Sequence, residues 1–251
     1  MGVAMSTPRD SVWSNQRMPA IEPVRITAGE VPGLLFAPAG DGPLPLVLLG
    51  HGAHLGKDDE HMQILCRSFA RQLPAAVLVI DCPDHGERRP VNDADYLAAV
   101  ERNMADAAVH HQLAREWTDA AAAARATDAR IDDRTAYVGF SMGSIFGASI
   151  VQDLPFVGPV VLALGGFVAP QRLPGTNDLI EAGLRSLGDR EVLMVSMTHD
   201  ESFPFTEAVR AFGLIPGPKR MFVWEGGHID IPGEAIRHAG QFLQRTLGLQ
   251  P

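Results

Sequence analysis

A chain of 251 residues with 46% hydrophobic and 20% charged residues has ample apolar material for one large core, which excludes a disordered chain. The 21 Lys and Arg against 30 Asp and Glu give a formal net charge of -9, which argues against nucleic acid as the main partner, because phosphate binding needs clustered cations. The apolar runs fall far short of the roughly 20 residues of a membrane span, and 2 cysteines, Cys66 and Cys82, are too few for a disulfide scaffold.

Residues 1–20 are polar and Pro-containing and read as a flexible leader; they carry Arg9 and Arg17 but lack the apolar core of a secretory signal, so a cytoplasmic location is expected. Residues 21–251 are expected to form a single domain. Two short extended runs flank Ala28-Gly29-Glu30, which predicts an antiparallel hairpin. Residues 44–49 then form a continuous apolar run ending in Gly50-His51-Gly52, as a strand buried on both faces requires. A helix capped by Asp58 or Asp59 follows, with Met62, Leu65, Phe69 and Leu73 on one face. Residues 76–80 give the next buried strand, closed by Asp81-Cys82-Pro83-Asp84-His85-Gly86; Arg88-Arg89 beyond it reads as a solvated loop.

The spacing of Val109, Leu113, Trp117, Ala120 and Ala124 predicts one long helix within residues 92–127, with His110-His111 on its polar face. A strand over 135–140 and a small-residue helix over 142–151 come next. Strands over 159–164, 191–197 and 220–224 alternate with helices near 178–187 and 204–212, and a final helix starts at Pro232 and stops at Gly248. Strands alternating with helices predict an α/β fold, a mostly parallel sheet of about eight strands wrapped on both faces.

Gly139-Phe140-Ser141-Met142-Gly143 matches G-x-S-x-G between a predicted strand and a predicted helix. Such a turn exposes the serine hydroxyl, and a side chain at either flanking glycine would clash with the adjoining strand or helix. A hydroxyl is a poor nucleophile until a base takes its proton. His228, in the Gly226-Gly227-His228 loop after the last strand, is the candidate base. Asp200, in Thr198-His199-Asp200-Glu201 after the preceding strand, is the candidate acid that orients it, with Glu201 as the alternative. Asp230 is too near His228 in sequence to fold back onto its ring. The oxyanion donors expected are the backbone N–H groups of Met142 and of Ala53, with His54 second to Ala53.

His54, Phe140, Phe167 and Phe203 are candidate substrate-lining residues. His51, His54 and His61, with Asp84-His85, raise a metal reading that no helical H-E-x-x-H pair or cysteine cluster supports, so no metal and no cofactor is expected.

With Ser141, Asp200 and His228 in that order, residues 22–247 resemble the α/β-hydrolase superfamily, and within it the dienelactone-hydrolase-like and peptidase-like serine esterases. The His51-Gly52 turn is similar to its oxyanion loop, residues 81–88 to its D-x-x-G-H-G-x-S-like loop, and residues 130–135 to its lead-in to the nucleophile strand. The resemblance implies a serine hydrolase with a small-molecule acyl substrate, and leaves homo-oligomerisation open. Dienelactone hydrolases proper carry cysteine where Ser141 stands, which argues against their substrate. The connection of about 25 residues between Leu164 and Glu191 is short for a helical cap, so little or no cap is expected and residues 92–108 are left to cover the site. Ester, amide, thioester and C–C bond hydrolysis all suit this triad, and a small-molecule receptor on the same fold is the rival of another class.

Overall fold

The computed structural model describes residues 21–90, 92–169 and 173–249; the leader expected over residues 1–20 lies outside them. Strands β1 (Val24–Ala28) and β2 (Val31–Phe36) form the expected hairpin, turning at Gly29 with φ 61°. Helix α1 (Glu60–Gln72) joins the buried strands β3 (Leu44–Gly50) and β4 (Ala76–Ile80). Asp59 holds its N-cap position, but the Asp59 carboxylate accepts the Gly56 N–H instead of capping the helix.

The single helix expected within 92–127 is two, α2 (Asp93–Ala105) and α3 (Ala107–Thr127). Asp106 divides them: its carboxylate accepts the Ala108 N–H and caps α3, a side-chain bond that competes with continuing the helix. Strand β5 (Ile131–Phe140) starts earlier than its apolar run, because Asp132 and Asp133 precede the buried stretch. Then come α4 (Met142–Ile150), β6 (Val157–Ala163), α5 (Thr176–Arg185), β7 (Val192–Met197), α6 (Phe205–Leu214), β8 (Lys219–Trp224) and α7 (Gly233–Thr246).

The sheet runs β1-β2-β4-β3-β5-β6-β7-β8, parallel from β4 onward and antiparallel across β1-β2-β4. Alternate side chains serve the two faces, as a two-residue period requires. Val47, Leu49, Val77, Val79, Val138 and Val161 pack under α1 and α7. Leu46, Leu48, Leu78, Tyr137, Val160 and Leu162 pack under the other helices. There Trp117 of α3 is wholly buried, and α4 is buried all round.

His110 corrects the expected polar helix face: only His111 is exposed, paired with Asp153. His110 lies on the Leu113 and Trp117 stripe, 4% exposed, with Nδ1 2.5 Å from Ser149 Oγ and Nε2 3.2 Å from Met104 O. Arg88 is likewise no solvated side chain, since it forms two 2.8 Å bonds to the Glu116 carboxylate and one to Asp81 O.

An ionic cluster fastens the loops after β3 and β4 together. Lys57 is fully buried, its ammonium 3.1 Å from Asp81 Oδ2 and 2.5 Å from Asp58 Oδ2 and also bonded to Glu87. Asp81 accepts the Lys57 and Glu87 N–H groups as well, at 2.7 and 3.0 Å. Gly86, at φ 52°, passes so close that a Cβ there would fall 2.2 Å from the Asp81 carboxylate. Among the described residues no helix is long and apolar enough to cross a membrane.

Candidate active site

The strand register brings the candidate residues to one edge. Gly50 pairs with Gly139 across β3 and β5, so the 51–55 loop and the Ser141 turn leave the sheet side by side. Two further loops leave the carboxyl ends of β7 and β8, tied by the Thr198 N–H to Trp224 O and the His199 N–H to Gly226 O, both 2.9 Å. In open parallel sheets this edge is where ligands bind.

Ser141 sits at φ 54° and ψ -113°, a conformation rare for a residue with a side chain, and donates its N–H to Ala163 O at 2.9 Å. The flanking glycines make the turn feasible. A Cβ on Gly139 would stand 2.2 Å from Gly143 O, and one on Gly143 2.3 Å from Gly50 O, at the end of β3. Because both obstacles are backbone, Gly143→Ala is expected to cost about 3 kcal/mol, the upper end of overpacking. Urea unfolding checks this; a loss under about 0.5 kcal/mol would mean the elbow relaxes freely.

Ser141 Oγ lies 2.8 Å from His228 Nε2, and His228 Nδ1 lies 2.9 Å from Asp200 Oδ2. A carboxylate can only accept, so Nδ1 carries the ring proton and Nε2 is left to accept from the serine hydroxyl. The Asp200 side chain is 2% exposed, and its other oxygen accepts the Ser202 and Phe203 N–H groups, both at 2.8 Å. Glu201 turns elsewhere: it accepts the backbone N–H of His228 at 3.1 Å, a bond that holds its carboxyl below the usual range. Asp230 accepts the Gly227 N–H at 2.7 Å and shapes the histidine loop. The ring of Phe203 packs 5.6 Å from that of His228.

These residues open onto a cleft of about 440 Å³ that Ala53, Ser141, Met142 and His228 line. Helix α2 forms one wall with Val100, Glu101 and Met104; Ile145, Val168 and Leu173 form another, and Ile229 stands at 87% exposure. Of the candidate lining residues, His54 and Phe203 stand in its wall. Phe140 and Phe167 do not: both are core, Phe140 facing α1 and α7, and Phe167 wholly buried under the Arg210 guanidinium. The wall of α2 agrees with the cover expected from residues 92–108. A second depression, of about 480 Å³, lies at the amino ends of β3 and β5 and holds none of these residues.

Met142 N–H opens α4 and by position has no intrahelical acceptor. Ala53 lines the cleft, and a Cβ on its neighbour Gly52 would come 3.7 Å from Ser141 Cβ, so this loop crosses beside the serine. The alternative donor, His54, already gives its N–H to Tyr96 Oη at 2.7 Å.

His51 and His85, near the site, are buried. His51 is fully buried, donating from Nδ1 to Gly52 O and accepting the Cys82 N–H at Nε2. Among the described residues, the ligand atoms that gather as a metal would need are those of Asp58, Asp81 and Glu87, and the Lys57 ammonium bonds all three. Burial, with His51 alongside, pushes His85 down to about 4. Its Nδ1 bonds Pro83 O, and its Nε2 is buried without an acceptor, so a second ring proton would be stranded.

His85 has an acid-stability consequence. The unfolded chain takes up that proton near pH 6.5 and the folded chain only near pH 4, so stability is full above pH 6.5 and falls as the pH drops between them, by about 3 kcal/mol. Urea unfolding between pH 7 and pH 4 should show this slope, shallower in His85→Gln; equal slopes would place the titration elsewhere.

No protein-family model and no curated protein matches the sequence. Solved structures do match in fold. A cold-adapted esterase from an Arctic intertidal metagenomic library aligns at a TM-score of 0.67 and 22% identity, over 90% of this chain and 92% of that one. A Thermus thermophilus protein aligns at 0.71 and 23%, over 92% and 100%. The dienelactone hydrolase of Anabaena variabilis aligns at 0.67 and 18%, over 90% and 96%. Strand order, elbow and these likenesses define an α/β protein of the doubly wound class. Its fold is the α/β-hydrolase fold.

Proposed function

We propose that this protein is a serine hydrolase that cleaves carboxylic esters through an acyl-enzyme. The observation that carries the reading is the relay from Asp200 through His228 to Ser141, at 2.9 and 2.8 Å, beside a cleft. In the first step His228 Nε2 takes the Ser141 proton as Oγ attacks the ester carbonyl. Asp200 stabilises the imidazolium, and the Met142 and Ala53 N–H groups receive the oxyanion. The intermediate collapses as the imidazolium gives its proton to the leaving alcohol. Water, deprotonated by the same imidazole, then releases the acid and regenerates Ser141.

The apolar walls from Val100, Met104, Ile145, Val168 and Leu173 support an uncharged acyl group. The likeness in fold to a structure described as an esterase supports the ester over other acyl donors. Hydrolysis of p-nitrophenyl esters from acetate to dodecanoate tests the reading. Turnover that peaks at an intermediate chain length is expected, and its absence at every length would transfer the site to amide, thioester or C–C substrates or to a receptor.

A further inference from the structure

Helix α2 walls the cleft with Val100, Glu101 and Met104. One turn before Val100, on the same helical face, stands Tyr96, 2% exposed. Its hydroxyl accepts the backbone N–H of His54 at 2.7 Å, the residue next to the proposed oxyanion donor Ala53. The ring has little freedom: the Arg89 guanidinium lies 4.0 Å over its centroid, and the rings of His85 and His54 pack against it at 5.4 and 5.6 Å. His54 has φ 65°, which side-chain-bearing residues seldom adopt, so its turn depends on contacts outside the loop. The Tyr96 bond is such a contact, made by a buried group.

We infer that Tyr96 is a positioning residue for the oxyanion site, an inference that rests on the ester-hydrolase reading above. By holding the His54 N–H, it keeps the loop in the conformation that sets Ala53 beside Ser141. A donor helps a developing oxyanion only if it is in place beforehand; one that must first reorient loses most of that benefit. Tyr96 is absent from the cleft lining, so its effect should fall on the transition state and not on ground-state binding. Because the same helix lines the cleft, the acyl wall and the oxyanion loop are braced together.

Tyr96→Phe removes one oxygen and keeps the ring. With p-nitrophenyl butyrate, kcat is expected to fall about tenfold to a hundredfold while KM changes less than about twofold. Affinity for an alkylboronic acid, whose adduct on Ser141 is tetrahedral, should fall with kcat, and the His54 amide should exchange faster with solvent. Unchanged kcat and boronate affinity would overturn the inference and leave Tyr96 a packing residue, as would a rise in KM alone. Wild-type enzyme without Ser141-dependent turnover would overturn the ester reading and this inference with it, whereas a silent Tyr96→Phe in an active enzyme overturns the inference alone.

Discussion

Ser141→Ala is expected to lower ester turnover by a factor on the order of 10^5 to 10^6 while leaving the fold intact. The removed oxygen is the one 2.8 Å from His228 Nε2, and among the described residues no other side chain shares that contact. The turn should survive, because alanine tolerates φ 54° no worse than serine and the neighbouring glycines, which the turn cannot spare, are untouched. Residual catalysis would come from the oxyanion donors and binding alone. Steady-state kcat/KM, with far-ultraviolet circular dichroism as the folding control, checks it. A folded variant within tenfold of wild type would show that Ser141 is not the nucleophile.

The next largest effect belongs to the acid. Asp200→Asn should lower kcat by about 10^3- to 10^4-fold with little change in stability, because an amide can keep the Ser202 and Phe203 N–H bonds only by presenting its NH2 to His228. That favours the tautomer with the proton on Nε2, which cannot accept from the serine. Glu201→Gln should change kcat less than about threefold, since its contact is with the His228 backbone and not the ring. Pre-steady-state release of p-nitrophenol separates the variants. A burst rate lost in Glu201→Gln and kept in Asp200→Asn would reverse the assignment.

Legibility of the sequence followed the physics of each segment. The buried strands were plain because a parallel sheet covered on both faces leaves unbroken apolar runs such as Leu46 to Leu49 and Val77 to Ile80. The elbow was plain because its glycines answer backbone obstacles at 2.2 and 2.3 Å that no other residue could meet. The break at Asp106 was hidden by strong helix formers on both sides, and its one signal was an aspartate placed to cap Ala107 onward. His110 belongs to the buried stripe by register, three residues before Leu113 and seven before Trp117, although its polar ring suggests an exposed face.

Lys57 has one neighbour in sequence among its partners, Asp58, but its burial depends on Asp81 and Glu87, which lie far along the chain. Phe140 and Phe167 could not be sorted from lining residues by sequence, because the choice depends on which way each element presents its side chain. For the same reason Tyr96 emerged only with tertiary structure, and the cover expected from residues 92–108 gained its lining residues Val100, Glu101 and Met104 there. The order of Ser141, Asp200 and His228 needed only loop positions, and the fold brings all three within hydrogen-bonding distance.

Titration with a fluorophosphonate, read by intact mass and peptide mapping, tests the central claim most directly. The account predicts one equivalent of adduct on Ser141, with ester turnover falling in proportion to labelling, and no adduct in Ser141→Ala. Retained turnover in fully labelled protein, or labelling at another residue with Ser141 untouched, would contradict it.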